Sequence, residues 1–201
     1  WWIPAIAPSD RCVILLHGYA DAKVGAIGWA PIFHKLGWNI LAIDSRAHGE
    51  SGGTMITAGH FERHDVSQII GHLRLQRPES TNKLVLFGVS MGSAIATHVA
   101  AMRDDIDGLI LESFVGEFLF ASEAQLHLSG LPGGPIKWLS SHFAAWMTGA
   151  DFRNDTALND IGNVKCTILL ILGTSDPFAD PIAVEKAVAN LPNVQRWHPQ
   201  G

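Results

Sequence analysis

The chain has 201 residues, of which 47% are apolar and 16% charged, and its formal net charge at neutral pH is −5. This length and composition suit one globular domain with a sizeable core, and they exclude an intrinsically disordered chain. Basic residues never cluster beyond two neighbours. The chain therefore lacks the positive field that collects nucleic acid or acidic lipid, and a small-molecule partner is favoured.

No targeting or anchoring segment is visible in the given residues. The stretch from Trp1 to Asp10 has neither a basic region nor a cleavage pattern. No apolar run reaches the roughly 20 residues that cross a bilayer. Because the chain begins at Trp1 instead of methionine and stops at Gly201 just after a strand-like run, we expect a fragment cut at both ends. The oligomeric state and the compartment stay open.

Short apolar runs recur along the chain and predict strands buried on both faces. They are Cys12–Leu16, Asn39–Ile43, Lys83–Phe87, Gly108–Leu111, Thr167–Leu172 and a weaker run at Val194–Trp197. Segments with helical spacing alternate with them, at Trp29–Lys35, Arg63–Leu75, Ser93–Met102 and Pro181–Ala189. This alternation predicts an α/β fold, with a mostly parallel sheet and helices on both of its faces.

The interval between the runs Gly108–Leu111 and Thr167–Leu172 is about twice as long as a simple crossover needs. It predicts a short helical lid inserted into the core. We therefore divide the single domain into a first core part at 1–112, a lid insertion at 113–165 and a second core part at 166–201.

The insertion contains two candidate helices, Glu117–Leu128 and Ile136–Met147, separated by a cluster of glycine and proline at 130–135 that could act as a hinge. Its large aromatic side chains suit a lid over a pocket, although they could equally fix the insertion to the core. These are Phe118, Phe120, Trp138, Phe143 and Trp146.

The two cysteines, Cys12 and Cys166, each open a predicted strand. They are interpreted as buried structural thiols. In the expected strand order, two strands lie between theirs, a separation of roughly 14 Å. A disulfide cannot bridge that distance.

The most informative motif is Gly88-Val89-Ser90-Met91-Gly92, which follows an apolar run and precedes a stretch of small residues. It is read as a strand, a sharp turn and a helix. In that setting the G-x-S-x-G pattern places a serine on a strained turn, with its hydroxyl lifted clear of the sheet. Ser90 is therefore the candidate nucleophile.

Further motifs follow the other predicted strands in chain order. They are His17-Gly18-Tyr19, the loop from Asp44 to Gly52, and Gly173-Thr174-Ser175-Asp176. Together with Ser90 they make the chain resemble an α/β-hydrolase, in particular the bacterial serine hydrolases related to the prolyl-oligopeptidase and BEM46-like branches. The resemblance covers nearly the full length and implies a serine hydrolase with a catalytic triad.

A serine hydroxyl needs a base to take its proton and a carboxylate to orient that base. The resemblance implies Asp176 as the acid, because it follows the strand at Thr167–Leu172. Glu112, at the end of the preceding strand, occupies an alternative acid position found in some relatives, but a capping role is preferred. Asp180 more plausibly caps the helix that begins at Pro181.

The oxyanion of an acyl-transfer reaction needs backbone donors, one of which comes from the residue after the nucleophile, here Met91. The resemblance implies Tyr19 as the second donor, since it follows the His17-Gly18 pair. His17 itself is interpreted as a structural residue that holds this loop.

The catalytic base is the member of the triad that the sequence identifies least clearly. Relatives carry this histidine a few residues past the last strand, and His198 is the histidine near that place. His198 is predicted to fall inside the strand, on the face shared by Val194 and Arg196. It remains a candidate base, but we expect the true base beyond Gly201.

No metal or organic cofactor is expected. His60 and His64 are spaced to share a helix face and His48 is near them in sequence, but no third ligand with zinc-motif spacing accompanies them. The stretch 62–65 is interpreted as the polar start of a surface helix. The loop 45–53 is predicted to shape the rim of the site.

The sequence thus predicts a serine hydrolase that cleaves carboxylic esters or related acyl compounds through an acyl-enzyme on Ser90. Two alternatives stay open. The same machinery could act on peptides, as in prolyl-oligopeptidase relatives. The chain could also be a non-catalytic or truncated protein of the hydrolase fold, without its histidine.

Overall fold

A seven-stranded sheet forms the centre of the structure, a computed structural model that describes residues 1–173 and 176–199. The strands are β1 (Trp2–Ile3), β2 (Arg11–Leu16), β3 (Asn39–Ile43), β4 (Lys83–Val89), β5 (Gly108–Glu112), β6 (Thr167–Ile171) and β7 (Val194–Trp197). Six of them coincide with the predicted runs to within two residues. The two-residue β1 was not predicted, because it is too short to give a pattern.

The strands are arranged in the order β1-β3-β2-β4-β5-β6-β7. Strand β1 pairs antiparallel with β3, and the other neighbours pair in parallel. This confirms the predicted mostly parallel sheet. Since parallel strands end at one edge, the loops after β2, β3, β4, β5, β6 and β7 all emerge there, which is where ligands bind in such sheets.

Helices cover both faces of the sheet. They are α1 (Lys23–Ala26), α2 (Ala30–Lys35), α3 (Glu62–Gln76), α4 (Met91–Met102), α5 (Phe118–Leu128), α6 (Gly133–Thr148), α7 (Ala157–Asp160) and α8 (Pro181–Val188). Successive side chains of β2 point to opposite faces of the sheet. Ile14 therefore packs in the larger core with α3, α4 and α8, and Leu15 packs in the smaller core with α1 and α2. No helix of the described residues combines the length and the hydropathy that a membrane crossing requires.

Helices α5 and α6 form the inserted pair, and they pack mainly on each other. Helix α6 begins at Gly133, three residues before its predicted start, so the predicted hinge at 130–135 is shorter than expected. The reason is that Pro135 lies in the first turn, where a proline is tolerated because its missing N–H would have no partner in the helix. The loop between the two helices therefore spans 129–132.

After α6 the chain returns to the main core. Ala157 and Ile161 are almost fully buried, and with Val164 they belong to the same apolar cluster as the side chains of α4. The end of the predicted insertion is thus packed as core, whereas α5 has no buried residue and α6 has only Gly133 and Ser141 buried. Cys12 and Cys166 are both free, with the strands β4 and β5 between theirs.

Candidate active site

Ser90 occupies a sharp turn between β4 and α4. Its backbone has φ 51° and ψ −117°, a conformation that costs energy for any residue with a side chain. The turn is held by the Ser90 N–H, which donates to the carbonyl oxygen of Glu112 at 2.9 Å, and by the Ser93 N–H, which donates to the carbonyl oxygen of Ser90 at 2.9 Å. The predicted strand, turn and helix around Ser90 are therefore observed.

The two glycines of the motif allow α4 to lie directly on the sheet. A Cβ at Gly88 would be 2.6 Å from the Cα of Ser93, and a Cβ at Gly92 would be 2.7 Å from the carbonyl oxygen of His17. Real Cβ atoms do not tolerate such contacts. The loop at Gly18 is also close, since a Cβ there would be 3.4 Å from the Cβ of Ser90.

Met91 and Tyr19, the candidate oxyanion donors, border the same cavity as Ser90. Met91 is buried as the first residue of α4, and the N–H groups of a first helical turn have no partner within the helix. Tyr19 is 61% exposed, and its ring meets that of His48 edge-on. Both residues therefore border the cavity that Ser90 faces, and their role as donors stays a prediction.

His17 fastens the loop after β2 to the loop after β3. Its Nε2 accepts a 2.9 Å hydrogen bond from the N–H of Ser45, so its Nδ1 carries the proton and donates to the carbonyl oxygen of Gly18 at 2.8 Å. Burial lowers the pKa of His17 and favours this neutral form. With both nitrogens engaged, His17 is a structural residue, as the sequence predicted.

The loop after β3 is built around Asp44. Its carboxylate pairs with the ammonium of Lys23 and accepts the backbone N–H of Glu50 at 2.9 Å and that of Lys23 at 2.7 Å. Burial alone would raise the pKa of Asp44, but these bonds outweigh it and lower the pKa to about 2. Asp44 thus holds this loop together, and the role of the loop in shaping the rim of the site stays a prediction.

Two carboxyl groups, those of Asp176 and Glu112, lie near the end of β5 and β6. The half-buried Asp176 accepts a 2.9 Å hydrogen bond from the N–H of Phe178 through its Oδ1. Burial, and then the negative charge of Asp176, raise the pKa of Glu112. Residues 174 and 175 of the predicted motif before Asp176 lie outside the described residues.

Asp180, the third acid considered, is used elsewhere. Its Oδ1 accepts the backbone N–H of Ile182 at 3.1 Å and that of Ala183 at 3.0 Å. This is the N-cap of α8, as the sequence predicted. Asp180 therefore has no part in the candidate site.

His198 is exposed and is not among the residues that line the cavity. The prediction that it falls inside the last strand is wrong, because β7 ends at Trp197. Strand β7 is three strand steps from β4, or roughly 14 Å. A histidine directly after β7 is therefore too far from Ser90 for a hydrogen bond, and only a loop that runs back along the edge of the sheet could bring one there.

A cavity of about 470 Å³ opens above Ser90, between the sheet edge and the inserted helices. One face of α5 supplies Phe118, Ala121, Ser122, Gln125 and Leu126, which follow the helical spacing of three and four residues. Helix α6 adds Ile136 and Ser140, and Val115 and Phe178 complete the wall. No charged side chain is among the described residues that line the cavity.

The aromatic residues predicted to cover the pocket mostly do not. Only Phe118 of the five lines the cavity, where it also stacks on Phe152 at 5.8 Å between ring centroids. Trp138, Phe143 and Trp146 point away and are largely exposed, Trp146 by 78%. The aromatic character of these residues therefore does not indicate which of them line the cavity. The helical spacing of Phe118, Ala121 and Gln125 does indicate the face of α5 that lines it.

Ser93 is a further residue that the sequence analysis did not single out. Its hydroxyl donates to the carbonyl oxygen of Ser90 and accepts the N–H of Val115 at 3.1 Å. It thereby ties the serine turn to the chain that leads into the insertion. The sequence signal that could have identified Ser93 is its hydroxyl side chain three residues after Ser90, in the first turn of α4.

A charged cluster lies on the α3 and α4 side of the fold. The Nδ1 of His60 is 2.6 Å from the Oδ2 of Asp155, and the Nδ1 of His98 is 2.7 Å from the Oδ2 of Asp160. Arg63 contacts both carboxylates. His98, Asp155 and Asp160 have the atoms to hold a metal ion, but the Arg63 guanidinium already supplies the positive charge between them. His60 is thus a hydrogen-bond partner of an acid that lies 95 residues away in sequence.

Comparison with known proteins identifies a matching family and several similar sequences. The sequence profile of the family described as serine aminopeptidase, S33 (Hydrolase_4), matches residues 7–117. The uncharacterized protein YqkD of Bacillus subtilis is 26% identical over 192 residues, or 90% of this chain and 61% of YqkD. The lysophosphatidylserine lipase ABHD12 of Bos taurus is 23% identical over 206 residues, or 95% of this chain and 48% of that protein.

Among solved structures, the Pyrococcus furiosus esterase Pf2001 matches with a TM-score of 0.79 and 26% identity, covering 100% of this chain and 76% of the esterase chain. The sequence relatives are longer than this chain, which spans less than two thirds of YqkD and about half of ABHD12.

Proposed function

The chain belongs to the serine aminopeptidase S33 family and has the α/β-hydrolase fold expected from its sequence, and from this premise we propose that it hydrolyses carboxylic esters of apolar acids through an acyl-enzyme on Ser90. One observation carries the proposal. The strained Ser90 faces a cavity of about 470 Å³ whose described lining is mostly apolar and uncharged. Such a cavity suits an acyl chain.

In the proposed reaction, the Oγ of Ser90 attacks the ester carbonyl carbon while its proton passes to a histidine. The carbonyl oxygen becomes an oxyanion, which accepts hydrogen bonds from the backbone N–H groups of Met91 and Tyr19. Collapse of this intermediate breaks the bond to the alcohol, which leaves with the proton from the histidine. Water then hydrolyses the acyl-enzyme by the same steps and releases the acid.

We assign Asp176 as the acid that orients the histidine. Its loop follows β6, two strand steps from Ser90, and its neighbour Phe178 lines the cavity. The base would come from the chain that follows β7. His198 is the histidine of the given sequence in that region. Because it is exposed at the end of β7, we favour a base that lies farther along the chain than His198.

We further propose that α5 and α6 act as a lid. They contribute most of the cavity wall opposite Ser90, and few of their side chains are buried. An element held by few buried contacts opens at low cost in free energy. Substrate would enter by separation of this helix pair from the sheet edge.

Peptide amides are the second candidate substrate, because the matching family is described as serine aminopeptidase. An aminopeptidase must hold the ammonium group of its substrate, which a carboxylate does best. The described lining of the cavity offers none, so esters rank first. A panel of p-nitrophenyl esters and aminoacyl p-nitroanilides, assayed with one preparation of the full-length protein, separates the two.

The deciding experiment compares Ser90→Ala with Ser140→Ala, a matched change at a hydroxyl that also lines the cavity. We expect Ser90→Ala to abolish turnover of p-nitrophenyl butyrate and labelling by a fluorophosphonate probe. Ser140→Ala should keep both. Full activity of Ser90→Ala would overturn the proposal, and absence of labelling in the unmodified protein would support the non-catalytic alternative.

A further inference from the structure

Each candidate oxyanion donor belongs to a peptide unit that also contains a carbonyl group. The N–H of Met91 shares its unit with the carbonyl of Ser90, and the N–H of Tyr19 shares its unit with the carbonyl of Gly18. The described residues contain no cis peptide bond. In a planar trans unit the C=O and the N–H point in opposite directions. A group that holds the carbonyl therefore also sets the direction in which the N–H donates.

The carbonyl of Ser90 is held by Ser93, whose side chain is fully buried. The N–H of Ser93 donates to this carbonyl at 2.9 Å, and the hydroxyl of Ser93 donates to it as well. The oxygen of that hydroxyl accepts the N–H of Val115 at 3.1 Å, so the hydroxyl proton is left for the carbonyl. The N–H of Met91 consequently points the opposite way, out of the N-terminal end of α4.

The carbonyl of Gly18 is held in the same manner by His17, which is also fully buried. The Nδ1–H of His17 donates to it at 2.8 Å, while Nε2 is occupied by the N–H of Ser45. Gly18 lies against the serine turn, since a Cβ there would be 3.4 Å from the Cβ of Ser90. Within the described part of the chain, no group accepts the N–H of Tyr19, which leaves it available to a ligand.

Both peptide units need such a support. The backbone of Ser90 is strained, and a strained conformation persists only when its surroundings determine it. A change in ψ of Ser90 would rotate the peptide unit and turn the N–H of Met91 aside. Gly18 has no side chain to restrict its ψ. Backbone donors stabilise an oxyanion because they are already oriented before the charge develops, so a rotation of either unit would weaken them.

We propose that Ser93 and His17 are positioning residues that orient the two oxyanion donors from the carbonyl side of their peptide units. The inference rests on the proposed function, which gives these N–H groups their task. Neither side chain is among the described residues that line the cavity. Their loss should therefore weaken binding of the transition state and leave binding of the substrate as it was, so that kcat falls while KM does not change.

The first test compares Ser93→Ala with Thr97→Val in the full-length protein. The buried hydroxyl of Thr97 makes the same kind of bond one turn later, to the carbonyl of Ser93 at 2.8 Å, but that peptide unit carries no candidate donor. We expect Ser93→Ala to lower kcat for p-nitrophenyl butyrate about tenfold at constant KM. Thr97→Val should keep kcat, with circular dichroism to check that both variants are folded. Equal kcat values of the two variants would overturn the role of Ser93.

The second test uses two variants of His17 that each keep half of its bonds. The amide nitrogen of an asparagine side chain is as many bonds from the backbone as Nδ1, so His17→Asn keeps a donor for the carbonyl of Gly18. The amide oxygen of a glutamine corresponds to Nε2, so His17→Gln keeps an acceptor for the N–H of Ser45. We expect kcat of His17→Asn to exceed that of His17→Gln about tenfold. Equal values, or the reverse order, would overturn the role of His17.

A trifluoromethyl ketone measures the oxyanion donors without turnover. The Oγ of Ser90 bonds to the ketone carbon, its proton passes to the histidine, and the electron pair of the broken C=O π bond stays on the oxygen as an oxyanion. This tetrahedral adduct resembles the transition state, so Ser93→Ala should weaken inhibition by the same factor as kcat/KM. Unchanged inhibition would contradict the inference.

Failure of the inference and failure of the proposed function give different results. If Ser90→Ala keeps full esterase activity, the proposed function is wrong and the inference falls with it. If Ser90→Ala is inactive but Ser93→Ala and Thr97→Val are equally active, only the positioning role is wrong.

Discussion

Gly92 lies directly against the carbonyl oxygen of His17, at a distance that leaves no room for a Cβ atom. This contact sets the separation between the first turn of α4 and the loop after β2. The two candidate oxyanion donors, Met91 and Tyr19, sit on these two elements. Gly92, two residues after the candidate nucleophile, therefore sets the distance between the backbones of Met91 and Tyr19.

We predict that Gly92→Ala lowers esterase activity at least ~tenfold and destabilises the fold by about 1–3 kcal/mol, because the added methyl group forces α4 away from the loop. Urea denaturation and p-nitrophenyl butyrate turnover measure the two effects. Gly71→Ala in α3 is the control, since nothing lies within 4 Å of a Cβ there. It should be neutral or stabilising by up to about 1 kcal/mol. Similar behaviour of the two variants would contradict the predicted role of the contact.

Ala121 is the smallest side chain on the face of α5 that lines the cavity. We predict that Ala121→Trp lowers the ratio of kcat/KM for p-nitrophenyl decanoate to that for the acetate at least ~tenfold, because the indole fills space that a long chain needs. Ala189→Trp, an exposed position at the end of α8, should leave the ratio as it was. A ratio unchanged by Ala121→Trp would place the acyl chain elsewhere.

Acid stability should depend on Asp44. Its pKa is lowered from 3.8 to about 2, so its ionised form contributes stability that is complete above pH 3.8 and is lost as pH falls toward 2. The difference in unfolding free energy between the unmodified protein and Asp44→Asn should therefore be largest above pH 4 and shrink toward pH 2. Asp10→Asn, at an exposed aspartate, is the control. A difference that stays constant with pH would contradict the assignment.

The charged cluster around Arg63 gives a prediction about metal binding. Arg63→Met should destabilise the fold by about 1–3 kcal/mol, because it leaves Asp155 and Asp160 facing each other without a cation. Added zinc should then raise the Tm of Arg63→Met, since His98 and the two carboxylates offer ligand atoms within 4.8 Å of one another. The unmodified protein and His64→Met, an exposed position on the same helix, should show no such rise. A rise in all three proteins would point to unspecific binding.

Local patterns predicted most of the fold. Parallel strands are buried on both faces and therefore leave continuous apolar runs, which is why β3 was predicted with its observed bounds, Asn39–Ile43. The turn at Ser90 was predictable because its strand, glycines and helix are adjacent in sequence. The loop role of His17 followed for the same reason.

What could not be predicted depends on contacts between distant segments. The acid bound by His60 lies 95 residues away, and nothing local indicates that pairing. Trp146 is apolar yet exposed, because the insertion presents only one side of each helix to the cavity.

The inserted helices are fastened to the core at both of their ends. On the entry side, the N–H of Ser113 donates to the carbonyl oxygen of Ile171 at 3.1 Å, and the N–H of Val115 donates to Ser93. On the exit side, the Arg63 cluster holds Asp155 and Asp160. We therefore expect that the stretch between these anchor points can be exchanged without loss of the fold around it. Under the proposed function, a new sequence in this stretch should alter the preference for one ester over another while Ser90 and the loops around it keep their places.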